Sequence, residues 1–261
     1  MAFVSSLRSA DLSRQVGAVI GRDEQILATG SNDVPKSGGG LYWPLREGAC
    51  IADEKDGRDF RRGEDSNRVQ QLVMINEIAD LILDNYSGIK RDEITKLLGS
   101  SAIGDLTEYG RVVHAEMESL LSCARSGVST LGAAIYSTTF PCHNCAKHIV
   151  AAGIDRVIYI EPYAKSKAFE FHTDSIAKVD PDGFEYGMGG FEPFVGVGPR
   201  KFFDLFSMRH GSSYKMIRKN KETGAKENWR IEESQLRLQM LPNSYMDLEF
   251  EASQIFRELQ N

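Results

Sequence analysis

The sequence predicts a layered α/β domain with parallel strand pairs, and three observations carry that prediction. From Arg111 onward the chain alternates helix, strand, helix and strand with short connections, the order that lays parallel strands under crossover helices. Near the N-terminus a strand, a tight turn and a returning strand make an antiparallel hairpin. The 261 residues are 41% apolar and 26% charged, which is ample for a sizeable core and excludes wholesale disorder or a fibrous repeat.

Taken in order, Gln15-Val16-Gly17-Ala18-Val19-Ile20 reads as a strand, Arg22-Asp23-Glu24-Gln25 as the turn and Ile26–Gly30 as the return, ended by Pro35-Lys36-Ser37-Gly38-Gly39-Gly40. Residues 41–66 read as charged and irregular, with Tyr42 and Trp43 as anchors. Helical spacing resumes through Leu72, Ile75, Ala79 and Ile82, and a short helix is expected over Arg91–Leu98. Then His114–Arg125 reads as helix, Gly132–Thr139 as strand, Cys142–Ala152 as helix with Gly153 as its C-cap, and Arg156–Ile160 as strand. Beyond Pro162, Tyr214–Ile217 and Trp229–Glu232 form a candidate hairpin over Glu222-Thr223-Gly224, and Ser244 caps a candidate helix running to about Leu259. The expected organisation is one domain over 1–261, with an insertion at about 34–110 and a C-terminal extension from about 211.

Charge and cysteine usage narrow the function classes. A net charge of -6, from 31 basic against 37 acidic residues, disfavours a general nucleic-acid binder but leaves room for a small phosphate-bearing ligand held by local cations. The 4 cysteines are too few for a disulfide framework, and the N-terminus lacks the charged and apolar regions of a secretory signal. Apolar runs such as Ile149–Ile154 fall far short of the roughly 18–20 residues that span a bilayer. A reducing cytoplasm without membrane association is therefore expected, and the sequon Asn85-Tyr86-Ser87 is read as chance.

The strongest chemical signal is His114-Ala115-Glu116, followed after Met117–Phe140 by Pro141-Cys142-His143-Asn144-Cys145. Cys142 and Cys145 lie three apart, so on a helix opened by Pro141 they share a face and can reach one ion. The partial positive charge of a helix N-terminus favours their thiolate form. His114 completes a set of three protein ligands, which leaves the fourth position of tetrahedral Zn2+ to water, as in a catalytic site. Glu116, two residues beyond His114, need not bind metal and is placed instead as a proton shuttle. The competing reading is half of a structural zinc knuckle, but the sequence has no second Cys-x-x-Cys to complete one. The order and spacing match the His-x-Glu and Pro-Cys-x-x-Cys signature of zinc deaminases.

With those residues in place, the sequence resembles the deoxycytidylate deaminases of the cytidine-deaminase-like superfamily. The matching pieces are Ser13-Arg14-Gln15-Val16-Gly17-Ala18-Val19-Ile20, Ala28-Thr29-Gly30-Ser31-Asn32, Gly110-Arg111-Val112-Val113-His114-Ala115-Glu116 and Thr139-Phe140-Pro141-Cys142-His143-Asn144-Cys145-Ala146. It is similar also to the deaminase part of bacterial anti-phage dCTP deaminases, through Glu161-Pro162-Tyr163-Ala164-Lys165-Ser166 and Phe191-Glu192-Pro193-Phe194-Val195-Gly196-Val197-Gly198-Pro199-Arg200. Those enzymes carry a P-loop kinase-like domain, whereas this sequence contains no Gly-x-x-x-x-Gly-Lys-Ser/Thr, so regulation through such a domain is not carried over.

The resemblance implies a three-layer α/β/α sandwich around a mixed sheet. It also implies zinc-dependent hydrolysis of deoxycytidine nucleotides, dCTP or dCMP, in anti-phage defence by draining dCTP. It makes Asn32 a candidate for holding sugar or base, and offers the Ala115 amide and the Thr139 carbonyl to the pyrimidine edge. A nucleotide also needs cations: Lys165 and Lys167 lead the candidates because they follow the strand after the metal helix, and Arg14, Arg58, Arg61, Arg62, Arg200 and Lys201 follow. His143, His148, His172 and Cys123 are weaker candidates for a second metal, with Cys123 more simply a buried small hydrophobe. Homo-oligomers are expected. The competing functions are a deaminase of RNA or tRNA bases, disfavoured by the acidic balance, and a non-catalytic zinc-stabilised module, disfavoured by Glu116.

Overall fold

The N-terminal hairpin forms because Asp23 and Glu24 both take positive φ, 51° and 63°, the two-residue turn whose twist matches that of its flanking strands. It joins β1 (Gly17–Arg22) to β2 (Gln25–Ser31), preceded by α1 (Ala2–Ser6). In this computed structural model the described residues are 1–48, 50–179, 189–199, 250, 252–255 and 257. The chain divides into two compact units, Met1–Val195 and Gly196–Asn261. The sites considered below lie in the first. The expected hairpin over 214–232 and the cap at Ser244 lie outside the described residues.

After β2 come β3 (Leu45–Glu47), β4 (Cys50–Ala52), α2 (Asp59–Arg62), α3 (Ser66–Asn85), α4 (Arg91–Gly99) and a 3-10 turn at Ala102–Asp105. The alternating half follows as α5 (Ala115–Arg125), β5 (Ala133–Thr139), α6 (His143–Ala151), β6 (Ile154–Glu161), α7 (Ala168–Phe171), β7 (Ile176–Lys178) and β8 (Gly189–Pro193). Six strands make one mixed sheet in the order β2-β1-β5-β6-β8-β7. β1 is antiparallel to β2 and to β5, whereas β5, β6, β8 and β7 run parallel. The predicted parallel pair, β5 with β6, is therefore the centre of the sheet. Gly153, at φ +70°, ends α6 in the left-handed conformation that glycine tolerates.

Two glycines show why helices cover both faces. In the hairpin register Gly17 faces Ser31 and Ala18 faces Gly30, so Gly17 and Gly30 point to opposite sides of the sheet. A Cβ at Gly17 would stand 2.1 Å from the Ala2 carbonyl oxygen of α1, and one at Gly30 2.1 Å from the Ala115 oxygen of α5. Each helix backbone thus rests on a strand with no room for a side chain, α1 on one face and α5 on the other, which is the three-layer arrangement. Between the layers pack Ile20, Ile135, Ile149, Val157 and Phe191, all buried. The Phe140 ring meets Tyr159 at 4.9 Å and Phe169 at 5.3 Å.

The inserted region departs from the sequence reading. Residues 41–66 are not simply irregular: β3 and β4 pair antiparallel around Gly48, at φ +61°, and α2 follows. Three-residue strands are too short to show alternation in sequence. Trp43 is 49% exposed, with the Arg8 guanidinium 4.4 Å over its ring, whereas Tyr42 is half-buried against Gly57. In α3 the buried face keeps Ile75 and Ala79 of the predicted stripe, with Ile82 half-buried, but Leu72 is exposed and Gln71 is buried in its place. That exchange has a polar cause: the buried Gln71 amide donates to the carbonyls of Leu106 at 2.7 Å and Gly104 at 3.3 Å. Among the described residues no helix is long and apolar enough to cross a membrane.

A Gly30→Ala substitution should force α5 away from β2, because its Cβ would also meet the Ser119 nitrogen at 2.7 Å. Overpacking of this kind costs about 3 kcal/mol or more. Thermal unfolding should show a Tm lower by roughly 6 °C or more; an unchanged Tm would contradict the close approach.

Candidate active site

β5 carries its chain from the centre of the sheet straight into the site. Thr139 ends it, Phe140 and Pro141 follow, and Cys142 becomes the N-cap of α6 with extended backbone, φ −68° and ψ 163°. Its Sγ accepts the Cys145 N–H at 3.4 Å, so the thiol serves as the capping acceptor. Pro141 therefore stands before the cap rather than in the first helical turn, as the sequence had suggested, and Ser166 donates its hydroxyl to the Pro141 carbonyl at 2.7 Å. His114 is likewise the N-cap of α5, at φ −68° and ψ 153°. Two helix N-termini thus converge on the C-terminal end of the central strand.

This convergence brings together the three predicted metal ligands. His114 Nδ1 lies 3.4 Å from Cys142 Sγ and 3.4 Å from Cys145 Sγ, and all three ligand atoms lie within 4.8 Å of one another. With Zn–S of about 2.3 Å and Zn–N of about 2.0–2.1 Å, a tetrahedral ion needs N···S separations of roughly 3.5 Å. The donor set therefore fits zinc, with His114, Cys142 and Cys145 holding it. No other His, Cys, Asp or Glu group among the described residues comes together in this way. In particular Cys123 is buried in the core and the His143 ring packs against Phe171.

The electrostatics suit a cation. The Cys145 thiol, donating to Cys142, and the neighbouring His114 hold the Cys142 thiol down at about 4, against the opposing effect of burial. The Cys145 thiol is pushed up by the hydrogen bond it donates to Cys142 and by burial. The hydrogen bond to Cys142 raises His114 to about 9, against burial. Ligation replaces these shared protons with a metal.

Glu116 is 3% exposed, in the first turn of α5. Its Oε1 receives the Ser137 hydroxyl at 3.2 Å, and its Oε2 lies 3.7 Å from Cys145 Sγ. Burial pushes its carboxyl up, while His114 pulls it back. The result is a carboxyl able to hold or release a proton beside the metal ligands.

His114, Glu116, Thr139 and Cys142 line one side of a cavity of about 540 Å³. Asn32 also lines it, but both ends of its amide are engaged: Oδ1 accepts the Val16 N–H at 2.6 Å and Nδ2 donates to the Arg14 carbonyl at 2.8 Å. Ala115 is fully buried and its side chain does not reach the cavity; it presents a first-turn N–H of α5. Lys165 lines the cavity and pairs with Asp105, which raises its ammonium pKa. Lys167 does not line it and instead faces Glu170 at 3.4 Å and the Phe171 ring at 5.7 Å. Of the other predicted cations, Arg14 lines the cavity with its guanidinium 5.3 Å over the Tyr163 ring. Arg58 is buried between Asp53 and Asp33, Arg61 and Arg62 lie outside the lining, and Arg200 and Lys201 lie outside the described residues.

The sequence reading missed the far wall. Asp59, Asn67, Arg68 and Gln71 of the insertion line the cavity and belong to no recognisable motif. Arg68 donates to Gln71 Oε1 at 3.1 Å, and among the described residues no carboxylate pairs with it. The sequence held only an indirect signal: the N-cap Asp65, which accepts the N–H groups of Asn67 and Arg68, puts both in the first turn of α3.

Residues 1–161 match the family model for the cytidine and deoxycytidylate deaminase zinc-binding region. ComE operon protein 2 of Bacillus subtilis is 51% identical over 53 residues, covering 20% of this chain and 28% of that protein. Deoxycytidylate deaminase of Enterobacteria phage T4 is 28% identical over 167 residues, covering 64% of this chain and 77% of that protein. The human deoxycytidylate deaminase is 26% identical over 38% of this chain and 57% of its own. Among solved structures, the dCMP deaminase of cyanophage S-TIM5 in complex with dCMP and dUMP aligns with a TM-score of 0.36 at 21% identity, covering 65% of this chain and 82% of that one.

Replacing Cys145 by Ser, or His114 by Ala, should lower zinc affinity by more than about 100-fold, beyond the loss that an outer-shell partner causes. Metal analysis after dialysis against a weak chelator should find zinc in the wild type and in Glu116→Gln but not in the ligand variants. Full zinc retention in Cys145→Ser would remove that thiol from the ligand set.

Proposed function

We propose, on the premise that the chain belongs to the cytidine and deoxycytidylate deaminase zinc-binding family, that it hydrolyses the amino group from the cytosine of a deoxycytidine nucleotide. Water is consumed, and ammonia and the uracil nucleotide are released. One observation carries the reading: a buried, hydrogen-bonded Glu116 shares one cavity wall with His114 and Cys142. A site that only held a structural ion would have no use for a carboxyl aimed past the ligands into open volume.

When bound, zinc supplies a Lewis acid that lowers the pKa of water and provides a nucleophile at neutral pH. The proton movements belong to Glu116. Its raised proton affinity lets the carboxyl take one proton from the attacking water and pass it to the ring nitrogen next to the amidine carbon, then take the second from the hydroxyl left on that carbon and give it to the amine as its C–N bond breaks. Ser137 fixes Oε1 during these transfers. The Ala115 N–H and the Thr139 carbonyl meet the pyrimidine edge, and Asn32 acts beside the sugar by holding the loop at 14–16.

The phosphate end is assigned to Arg14, Arg68 and Lys165, the cations lining the same cavity. Arg68 and Arg14 have no carboxylate partner among the described residues, whereas Lys165 shares its charge with Asp105. Lys167 is left out of this assignment because it faces Glu170. The substrate is dCMP or dCTP; action on dCTP would drain the pool on which phage replication draws, as the anti-phage enzymes' resemblance suggests.

Incubation with dCMP, dCTP, CTP, deoxycytidine and a tRNA, followed by ammonia release and base absorbance, tests the reading. A deoxycytidine nucleotide should turn over fastest and the tRNA not at all. Zinc-loaded protein inert toward every cytosine substrate would overturn the proposal. Glu116→Gln should lose about 100-fold or more in kcat. Arg68→Ala should raise KM for the nucleotide about tenfold more than for deoxycytidine, the loss expected for one charge-assisted hydrogen bond.

A further inference from the structure

The stretch between β4 and α3 is tied to the deaminase core by two arginines. Arg58, with a side chain 9% exposed, sends Nη2 to both Asp53 oxygens at 2.6 Å and Nη1 to Asp33 Oδ2 at 3.4 Å. Asp33 is itself buried, and its carboxylate also receives the N–H groups of Ala10 at 3.2 Å and Val34 at 2.8 Å. Its backbone forms an antiparallel bridge with Val113: the Val113 N–H donates to the Asp33 oxygen at 2.9 Å, and the Asp33 N–H to the Val113 oxygen at 3.3 Å. On either side of Arg58 in sequence, Gly57 and Asp59 hold Arg111, whose Nη2 donates to the Gly57 carbonyl at 3.0 Å and Nη1 to Asp59 Oδ1 at 2.8 Å.

Residues 57–59 therefore grip both strips of the core that run into the site. One strip is Asp33, next to Asn32. The other is Arg111–Val113, next to His114. His114 has no side-chain capping bond of its own and sits in extended backbone, so the direction of its imidazole depends on where residues 111–113 run.

We infer that Gly57-Arg58-Asp59 is a clamp that sets His114 in place for the metal, and that Arg111 is its principal positioning residue. The planar guanidinium spans a carboxylate and a carbonyl at a fixed separation, which a lysine ammonium cannot reproduce. Asp59 is buried, and Arg111 opposes the rise that burial imposes on its carboxyl, so the pair holds together only with both members present. Metal ligands tolerate little displacement, and loss of the groups that orient them weakens metal binding by about 10–100-fold. The inference concerns the metal ligand and is independent of which nucleotide is the substrate.

Three variants test it: Arg111→Met, which keeps the aliphatic stem; Arg111→Lys, which keeps the charge with a single donor head; and Asp59→Asn, which keeps the shape. Zinc dissociation constants come from competition with a chromophoric chelator, and thermal unfolding of the zinc-free proteins runs alongside. Arg111→Met should bind zinc about 10–100-fold more weakly, with Arg111→Lys between it and the wild type. An ion pair that merely held the insertion folded would lower the zinc-free Tm and leave zinc affinity within about twofold, and that result would overturn the inference. Should Arg111→Met not fold, the other two decide: about a threefold or greater loss of zinc affinity supports the clamp, and wild-type affinity in both rejects it.

Discussion

Burying a carboxyl beside two thiols is the constraint from which the rest of the site follows. Glu116 is nearly inaccessible, and an unaccompanied carboxylate in such a place would cost several kcal/mol. Its partners come from different directions: the Ser137 hydroxyl from the centre of the sheet, the N-terminal end of α5, and the positive charge gathered at His114. Only a fold that drives the start of α5 onto the end of β5 can supply all three. Gly30 permits that approach by leaving the Ala115 carbonyl free to descend onto β2.

The same geometry explains why the thiols differ although they share a helical face. Cys142 caps α6 and accepts the Cys145 N–H, so negative charge concentrates on it, while the more buried Cys145 keeps its proton until a metal replaces it. The two helix N-termini add their dipoles to a corner that already favours a cation and its anionic ligands. The sheet and its crossover helices thus provide the chemistry, and the inserted region provides the opposite wall of the cavity. Acidic side chains on that wall are occupied: Asp65 caps α3, Asp105 pairs with Lys165 and Asp59 pairs with Arg111. A chain of negative net charge can in this way keep Arg14 and Arg68 unpaired among the described residues, for a phosphate-bearing ligand.

The parts of the fold legible in the sequence are those set by local physics. The hairpin around Asp23-Glu24 was legible because two strands of matching alternation flank a polar turn. The parallel β5–β6 pair was legible because helix and strand alternate at crossover length. The insertion was less so. Its strands are three residues long, and the buried face of α3 turns on Gln71, a polar residue whose burial makes sense only once the Gly104 and Leu106 carbonyls are beside it. Lys165 and Lys167 looked equivalent in sequence, yet Lys165 lines the cavity beside Asp105 whereas Lys167, as the N-cap of α7, meets Glu170 of that helix.

The sequence by itself determined which atoms could hold the metal and move the proton. Cys142 and Cys145 are three residues apart, the spacing that opening a helix brings to one side, and His114 and Glu116 are two apart across the start of another helix. Only the tertiary structure decided that His114 meets both thiols at 3.4 Å, that Asn32 spends its amide on the loop at 14–16, and that Asp59, Asn67, Arg68 and Gln71 reach the site. Those relations join segments far apart in the chain. Their distances depend on how backbones pack at positions such as Gly30 and on which buried charges find partners, and neither is written in local spacing.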